Sequence, residues 1–190
     1  MKIIFFGSFQ YAVPALEALI KNGYQIAAVV TNPDSLQGRK KELVSSPVKI
    51  AAQAAGLNVL QPEKLKGNLE LLETFKLLNP DLGVVVAYGK IIPKELINLP
   101  KYGTINIHPS LLPAYRGPSP IQTAILNGET ETGVTIIQID EEMDHGPILA
   151  QVKYQISPNA YLPQITDDLF RLGAELLTKI IPNWLGGKIT

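Results

Sequence analysis

Asn106 and His108 stand two residues apart in the short run Thr104-Ile105-Asn106-Ile107-His108, which passes directly into Pro109-Ser110-Leu111-Leu112-Pro113. Side chains alternate between the faces of a β-strand, so residues at this spacing leave the same side. An amide and an imidazole therefore emerge together at the strand's end. Proline lacks an N–H and pushes the preceding residue toward extended backbone, which holds His108 at the rim of the sheet. The pair suits acyl transfer: an amide N–H can donate to a developing oxyanion, and an imidazole can donate or move a proton. A plainer reading stays open, in which Asn106 and His108 form a buried pair that satisfies loop backbone.

Further along, Asp140, Glu141, Glu142 and Asp144 crowd one loop, followed by His145-Gly146-Pro147. Crowded carboxylates are ordinarily solvated. Asp144, just before the Gly-Pro turn, is where a carboxylate can face the strand end of Asn106 and His108. There it would favour the imidazolium and make His108 a better donor and proton shuttle. A metal would have to use His108 and His145 with Asp140 or Asp144, yet no H-x-x-x-H or H-E-x-x-H spacing exists, and no metal is expected. A Ser-His-Asp hydrolase is weaker still: Ser110 follows His108 too closely, and there is no G-x-S-x-G elbow.

These residues need a scaffold. Residues 2–6 read as an apolar strand ending at Gly7, and 12–22 as a helix with Ala12, Ala15, Leu16, Leu19 and Ile20 on one face. Residues 25–30 form a second strand, and strand–helix–strand opens a parallel α/β sheet. The turn Gly7-Ser8-Phe9 places N–H groups at a helix start, where an anion could sit, but it is not G-x-G-x-x-G. Residues 31–47 read as a long polar loop carrying Arg39, Lys40 and Lys41, either a solvated run or a phosphate-contacting one. A helix from Pro47, a strand over 57–60 and a helix over 68–78 follow, the last with Leu69, Leu72, Phe75 and Leu78 on one side. Residues 82–87 are a continuous apolar strand, as in a sheet centre covered on both faces. It ends at Tyr88-Gly89-Lys90, and ligands in such sheets bind at the carboxyl ends of strands. After 104–107 come a helix over 119–127, strands over 133–139 and 149–156, the latter at an edge, and a helix over roughly 161–181. The expected fold is an α/β, doubly wound, mostly parallel Rossmann-like sheet of about seven strands.

At 190 residues with 46% apolar and 18% charged content, the chain suits one soluble domain with a full core. Seventeen basic and seventeen acidic residues cancel, so no global field draws it to nucleic acid or membrane. The absence of cysteine excludes a disulfide framework, a thiolate zinc site and a cysteine nucleophile. The N-terminal apolar run is too short for a signal peptide and nothing approaches a membrane span, so a cytoplasmic location and no membrane partner are expected.

Asn106-x-His108 with Ser110-Leu-Leu-Pro113 and a distant Asp144 resembles the catalytic signature of the folate-dependent formyltransferases. Ser46-Pro47-Val48-Lys49, residues 84–89, residues 110–117, Pro120-Ile121-Gln122 and residues 132–136 are similar to the branch that formylates methionyl-tRNA. The resemblance runs the length of the chain. It implies transfer of a formyl group from 10-formyltetrahydrofolate, with no metal, to the amine of initiator methionyl-tRNA, a step of translation initiation and one-carbon metabolism. Asn106 and His108 would hold the tetrahedral oxyanion, with Asp144 tuning His108. Folate would lie against Ala87, Tyr88, Gly89, Lys90, Ile91 and Ile92, against Ser110, Leu111, Leu112 and Pro113, and beside Asp140. Arg39, Lys40 and Lys41 would contact tRNA phosphates, although the lysines lie one residue closer to Arg39 than in the family. Gly7-Ser8-Phe9-Gln10-Tyr11-Ala12 departs from the family's Gly-Thr-Pro-x-Phe-Ala. The resemblance also implies a catalytic domain over 1–183 and, at 184–190, the start of a linker to a further C-terminal domain. Formylation of glycinamide ribonucleotide or of an amino-sugar nucleotide, and folate binding without turnover, remain as alternatives.

Overall fold

The computed structural model describes residues 1–38 and 41–187. The chain divides into two compact units, 1–104 and 105–190.

In the first unit, β1 (Lys2–Gly7), β2 (Gln25–Val30), β5 (Val59–Leu60) and β6 (Leu82–Val86) pair in parallel in the order β5-β2-β1-β6. Every residue of β6 is buried, as its unbroken apolar run requires. Gln10–Ala12 forms a short 3-10 turn before α1 (Val13–Lys21), whose buried face is Ala15, Leu16 and Leu19. Ile20, expected on that face, is exposed, so the apolar stripe is narrower than its spacing suggests. α2 (Pro47–Ala54) starts at Ser46, whose side chain accepts the Lys49 N–H and caps the helix.

Two expectations need correction here. The polar stretch 31–47 is not an unbroken loop: β3 (Ser35–Gln37) and β4 (Glu42–Val44) pair antiparallel as a hairpin. In α3 (Leu69–Leu78) the core face is Leu71 and Phe75, not Leu69, which is 73% exposed. Leucines at 69, 71, 72, 77 and 78 surround that helix, so spacing alone selects no single face. The unit also holds α4 (Lys94–Ile97).

In the second unit, β7 (Thr104–His108), β8 (Glu131–Gln138) and β9 (Ile148–Gln155) pair antiparallel in that order. With the four parallel strands this makes seven, as expected, in an α/β fold. After the buried Leu149, β9 alternates between half-buried and exposed residues, which fits the edge position read for it. α5 (Pro120–Leu126) and α6 (Leu162–Leu185) complete the unit, α6 running four residues beyond the expected 181. Pro182 lies inside it, where its missing N–H removes one hydrogen bond without ending the helix. α6 lies very close to β7: a Cβ at Gly173 would stand 2.6 Å from Ile107 Cγ2. Ile107 thus faces the helix, and Asn106 and His108 face the other way. No described helix is long and apolar enough to cross a membrane.

Candidate active site

β7 delivers Asn106 and His108 to one face, as alternation requires. His108 is buried and lies opposite Thr135 in the β7–β8 register. Its Nδ1 stands 3.4 Å from Asp144 Oδ1, so the structure joins two residues 36 positions apart in the chain. At that distance the contact is an ion pair when the ring is protonated, longer than an ideal charge-assisted hydrogen bond. The other nitrogen, Nε2, lies 2.9 Å from the Tyr115 carbonyl oxygen. A carbonyl can only accept, so Nε2 carries a proton and donates it there. Asn106 is half-buried, and no hydrogen bond ties its amide among the described residues. Its N–H groups remain open to a ligand.

The Asp144 carboxylate is held at a second point: the Gly117 N–H donates to Oδ2 over 2.9 Å. Asp144 and Tyr115, which meet the two ring nitrogens, both have left-handed backbone, with φ of 50° and 58°. Such conformations cost on the order of 1–2 kcal/mol for a residue with a side chain, so surrounding contacts must enforce them. At the base of the Asp144 loop, the Gln138 N–H donates to the Pro147 carbonyl over 2.9 Å. Gly146 sits against the Gln138 carbonyl so tightly that a Cβ would stand 1.8 Å from the oxygen. Within the loop, His145 Nδ1 donates to Asp140 Oδ2 over 2.8 Å, and Asp140 Oδ1 accepts the Glu142 N–H over 2.9 Å. The hydrogen bond from His145 holds the Asp140 carboxyl below its usual range, despite some desolvation. Among the described residues, no cluster of three or more His, Asp or Glu side chains is arranged to hold a metal ion.

The loop after His108 is fixed from beneath by Thr135. Its buried Oγ1 donates to the Ser110 carbonyl over 2.6 Å and accepts the Leu112 N–H over 3.1 Å. Gln151 Nε2 donates to both Thr135 Oγ1 and the Leu112 carbonyl. Ser110, read as a folate contact, is fully buried and donates its hydroxyl to the Ala114 carbonyl over 2.7 Å. Leu112 is buried, Leu111 half-buried and Pro113 exposed. Replacing Thr135 with valine keeps the shape and strips this loop of its hydroxyl partner. The Leu112 N–H is then buried and unpaired, and denaturant unfolding should show a loss of about 1–3 kcal/mol.

In the first unit, residues 87–92 follow β6. Ala87 has φ 43° and Gly89 φ 81°, a sharp left-handed turn. The Tyr88 ring points into the core against Phe6, edge to face at 5.6 Å. Its hydroxyl is buried without a partner among the described residues, and burial pushes its pKa up to about 12. Tyr88 can therefore offer a ligand its backbone, not its phenol. Lys90 Nζ donates to the carbonyls of Pro62 and Glu63; Ile91 is 85% exposed and Ile92 is buried. Of the three cations read as tRNA contacts, Lys41 stands exposed in the hairpin turn, while Arg39 and Lys40 lie outside the described residues.

Sequence reasoning missed a polar cluster at the carboxyl ends of β1, β2 and β5. Thr31 Oγ1 hydrogen-bonds Ser46 Oγ at 2.6 Å and Ser8 Oγ at 3.4 Å, and the Asn32 N–H donates to Ser8 Oγ. Asp34 accepts from Lys49 Nζ at 2.6 Å and from Gln61 Nε2 at 2.8 Å. These contacts, the Lys49 bond foremost, lower the Asp34 pKa. Thr31, Asn32, Asp34 and Ser46 lie in a stretch read as loop, Ser8, Lys49 and Gln61 lie outside it, and nothing in their spacing pointed to one cluster. Tyr115 and Gly117 were missed for another reason: they act through backbone atoms, which residue type does not announce.

A family profile described as "Formyl transferase" matches residues 1–181. Methionyl-tRNA formyltransferase of Chloroflexus aggregans is 54% identical over 189 residues, covering all of this chain and 61% of that protein. The enzyme of the same name from Sulfurihydrogenibium sp. is 47% identical, again over the whole chain and 61% of its own length. The chain thus spans about three fifths of the length of these relatives. Among solved structures, phosphoribosylglycinamide formyltransferase from Streptococcus pneumoniae TIGR4 superposes with a TM-score of 0.80 at 20% identity, over 97% of this chain and 98% of that one. That likeness is one of fold.

Proposed function

The chain belongs to the formyl transferase family, and on that premise we propose that it moves a formyl group from 10-formyltetrahydrofolate to the amine of initiator methionyl-tRNA. The observation that carries the reaction is the buried His108 paired with Asp144 beside the free amide of Asn106. The acceptor follows the relatives, named methionyl-tRNA formyltransferase and up to 54% identical.

The neutral amine attacks the formyl carbon, and a new C–N bond forms as the carbonyl oxygen becomes an oxyanion. Asn106 donates its amide N–H to that oxygen. The His108 ring stands beside it as a proton carrier, with Nδ1 facing Asp144. The attacking nitrogen then gives up a proton, and the N10 nitrogen of the folate gains one as its bond to the formyl carbon breaks. Asp144 and His108 are the groups that move this proton, through water where the gap requires it. The cosubstrate would rest on backbone of residues 87–92, on 110–113 and beside Asp140. Lys41, with Arg39 and Lys40, would meet tRNA phosphates, so affinity for tRNA should fall steeply with salt. An enzyme of this kind works in the cytoplasm.

The test supplies 10-formyltetrahydrofolate with three acceptors in turn: methionyl-tRNA, glycinamide ribonucleotide and an amino-sugar nucleotide. Formyl product is expected on methionyl-tRNA alone. Product only on another acceptor overturns the tRNA assignment, and folate binding with no product on any amine overturns the enzyme reading.

A further inference from the structure

Resting on the reading just given, we propose that Tyr115 and Glu129 form a clamp that sets the direction of the His108 ring, making both of them positioning residues for formyl transfer. The contact to the imidazole is made by a backbone carbonyl, that of Tyr115, at 2.9 Å from Nε2. Where that carbonyl points depends on the backbone of Tyr115, which is left-handed at φ 58°. A tyrosine does not rest there unaided.

Two contacts hold it. On the preceding side, Ala114 is tied by its N–H to the Leu111 carbonyl and by its own carbonyl to the Ser110 hydroxyl. On the outer side, the Tyr115 hydroxyl donates to the Glu129 carboxylate and accepts from Asn127 Nδ2 at 3.2 Å. Those partners are themselves fixed, because the N–H groups of Asn127 and Glu129 close the end of α5 on the carbonyls of Thr123 and Ala124. A line of bonded groups thus runs from the end of α5 through the phenol and the peptide plane of Tyr115 to Nε2 of His108. With Nε2–H committed to that carbonyl, Nδ1 is the nitrogen left to face Asp144. If the line is cut at the hydroxyl, the peptide plane is free to relax toward ordinary turn geometry. The imidazole then loses the fixed acceptor that aims its ring and with it the approach of Nδ1 to Asp144.

The test compares Tyr115→Phe, Glu129→Ala, Glu129→Gln and His108→Ala in the full chain. Tyr115→Phe and Glu129→Ala should each lower kcat about 3- to 10-fold, the range set by one hydrogen bond. KM for folate and for the acceptor should stay within about twofold. The chain has only two histidines, so nitrogen-15 spectra resolve His108 directly. Both variants should shift the His108 Nε2 resonance as its hydrogen bond to the Tyr115 carbonyl weakens, while Glu129→Gln, whose amide oxygen still accepts the phenol, should restore rate and spectrum. Glu129 is exposed, so its replacement should not unfold the chain. Wild-type kcat and spectrum in both variants, or a loss confined to KM, or no rescue by glutamine, each overturns the clamp while His108→Ala remains inactive. A fully active His108→Ala overturns instead the reading on which the clamp rests.

Discussion

His108→Ala lowers the rate of formyl transfer by about 10²–10⁴, the usual worth of one positioned acid–base group. Folate affinity changes little, because the loss falls on an interaction made in the transition state. The loss has two sources. The proton carrier beside the oxyanion disappears, and among the described residues Asp144 is left with the Gly117 N–H to hold it. Removing the ring also leaves the Tyr115 carbonyl without its donor, a cost of about 1–3 kcal/mol in stability if water does not replace it. Single-turnover formylation with methionyl-tRNA, run beside folate titration and thermal unfolding, separates the effects. A variant that binds folate, stays folded and still turns over within tenfold of wild type would remove His108 from the chemistry.

Gly146→Ala should cost about 10² in rate without touching a reacting group. A methyl at that position would stand 1.8 Å from the Gln138 carbonyl oxygen, well inside van der Waals contact. Backbone on both sides must separate by more than an ångström. The oxygen belongs to the end of β8, which is paired on both edges, so the loop moves instead. Asp144 lies two residues away and its pairing with His108 is already long at 3.4 Å. Displacement on this scale is enough to cost two orders of magnitude where proton transfer depends on alignment. Overpacking lowers stability by about 1–3 kcal/mol. Comparing Gly146→Ala with Asp144→Asn under identical conditions checks the route: the two should show similar rates, while only Gly146→Ala is less stable. An active, unstable Gly146→Ala protein would show that the loop's position is unimportant.

Strand alternation alone placed Asn106 and His108 together, and the acidic loop supplied Asp144 as a candidate partner. The pairing between them came from resemblance, because nothing local in a sequence brings residues 108 and 144 together. The antiparallel half could have been read more fully. Only nine residues, 139–147, separate β8 from β9, too few for the crossover a parallel pair needs. The hairpin at 35–44 left a fainter signal: Leu36, Leu43 and Val44 are apolar residues that a solvated loop does not require. In α3 leucines lie on every side, and burial rather than spacing chose Leu71 and Phe75. Tyr88 shows the opposite limit. Its place at a strand's carboxyl end pointed to a ligand contact, and the ring itself packs in the first unit's core.

The close approach of α6 to β7 carries a consequence for how this chain can vary by descent. Most outward positions of that long helix are free to drift. Position 173 is not, because any larger side chain would press on Ile107, the residue between Asn106 and His108. Far along the chain and on the opposite side of the strand, the smallest amino acid there is bound to the same fate as the imidazole.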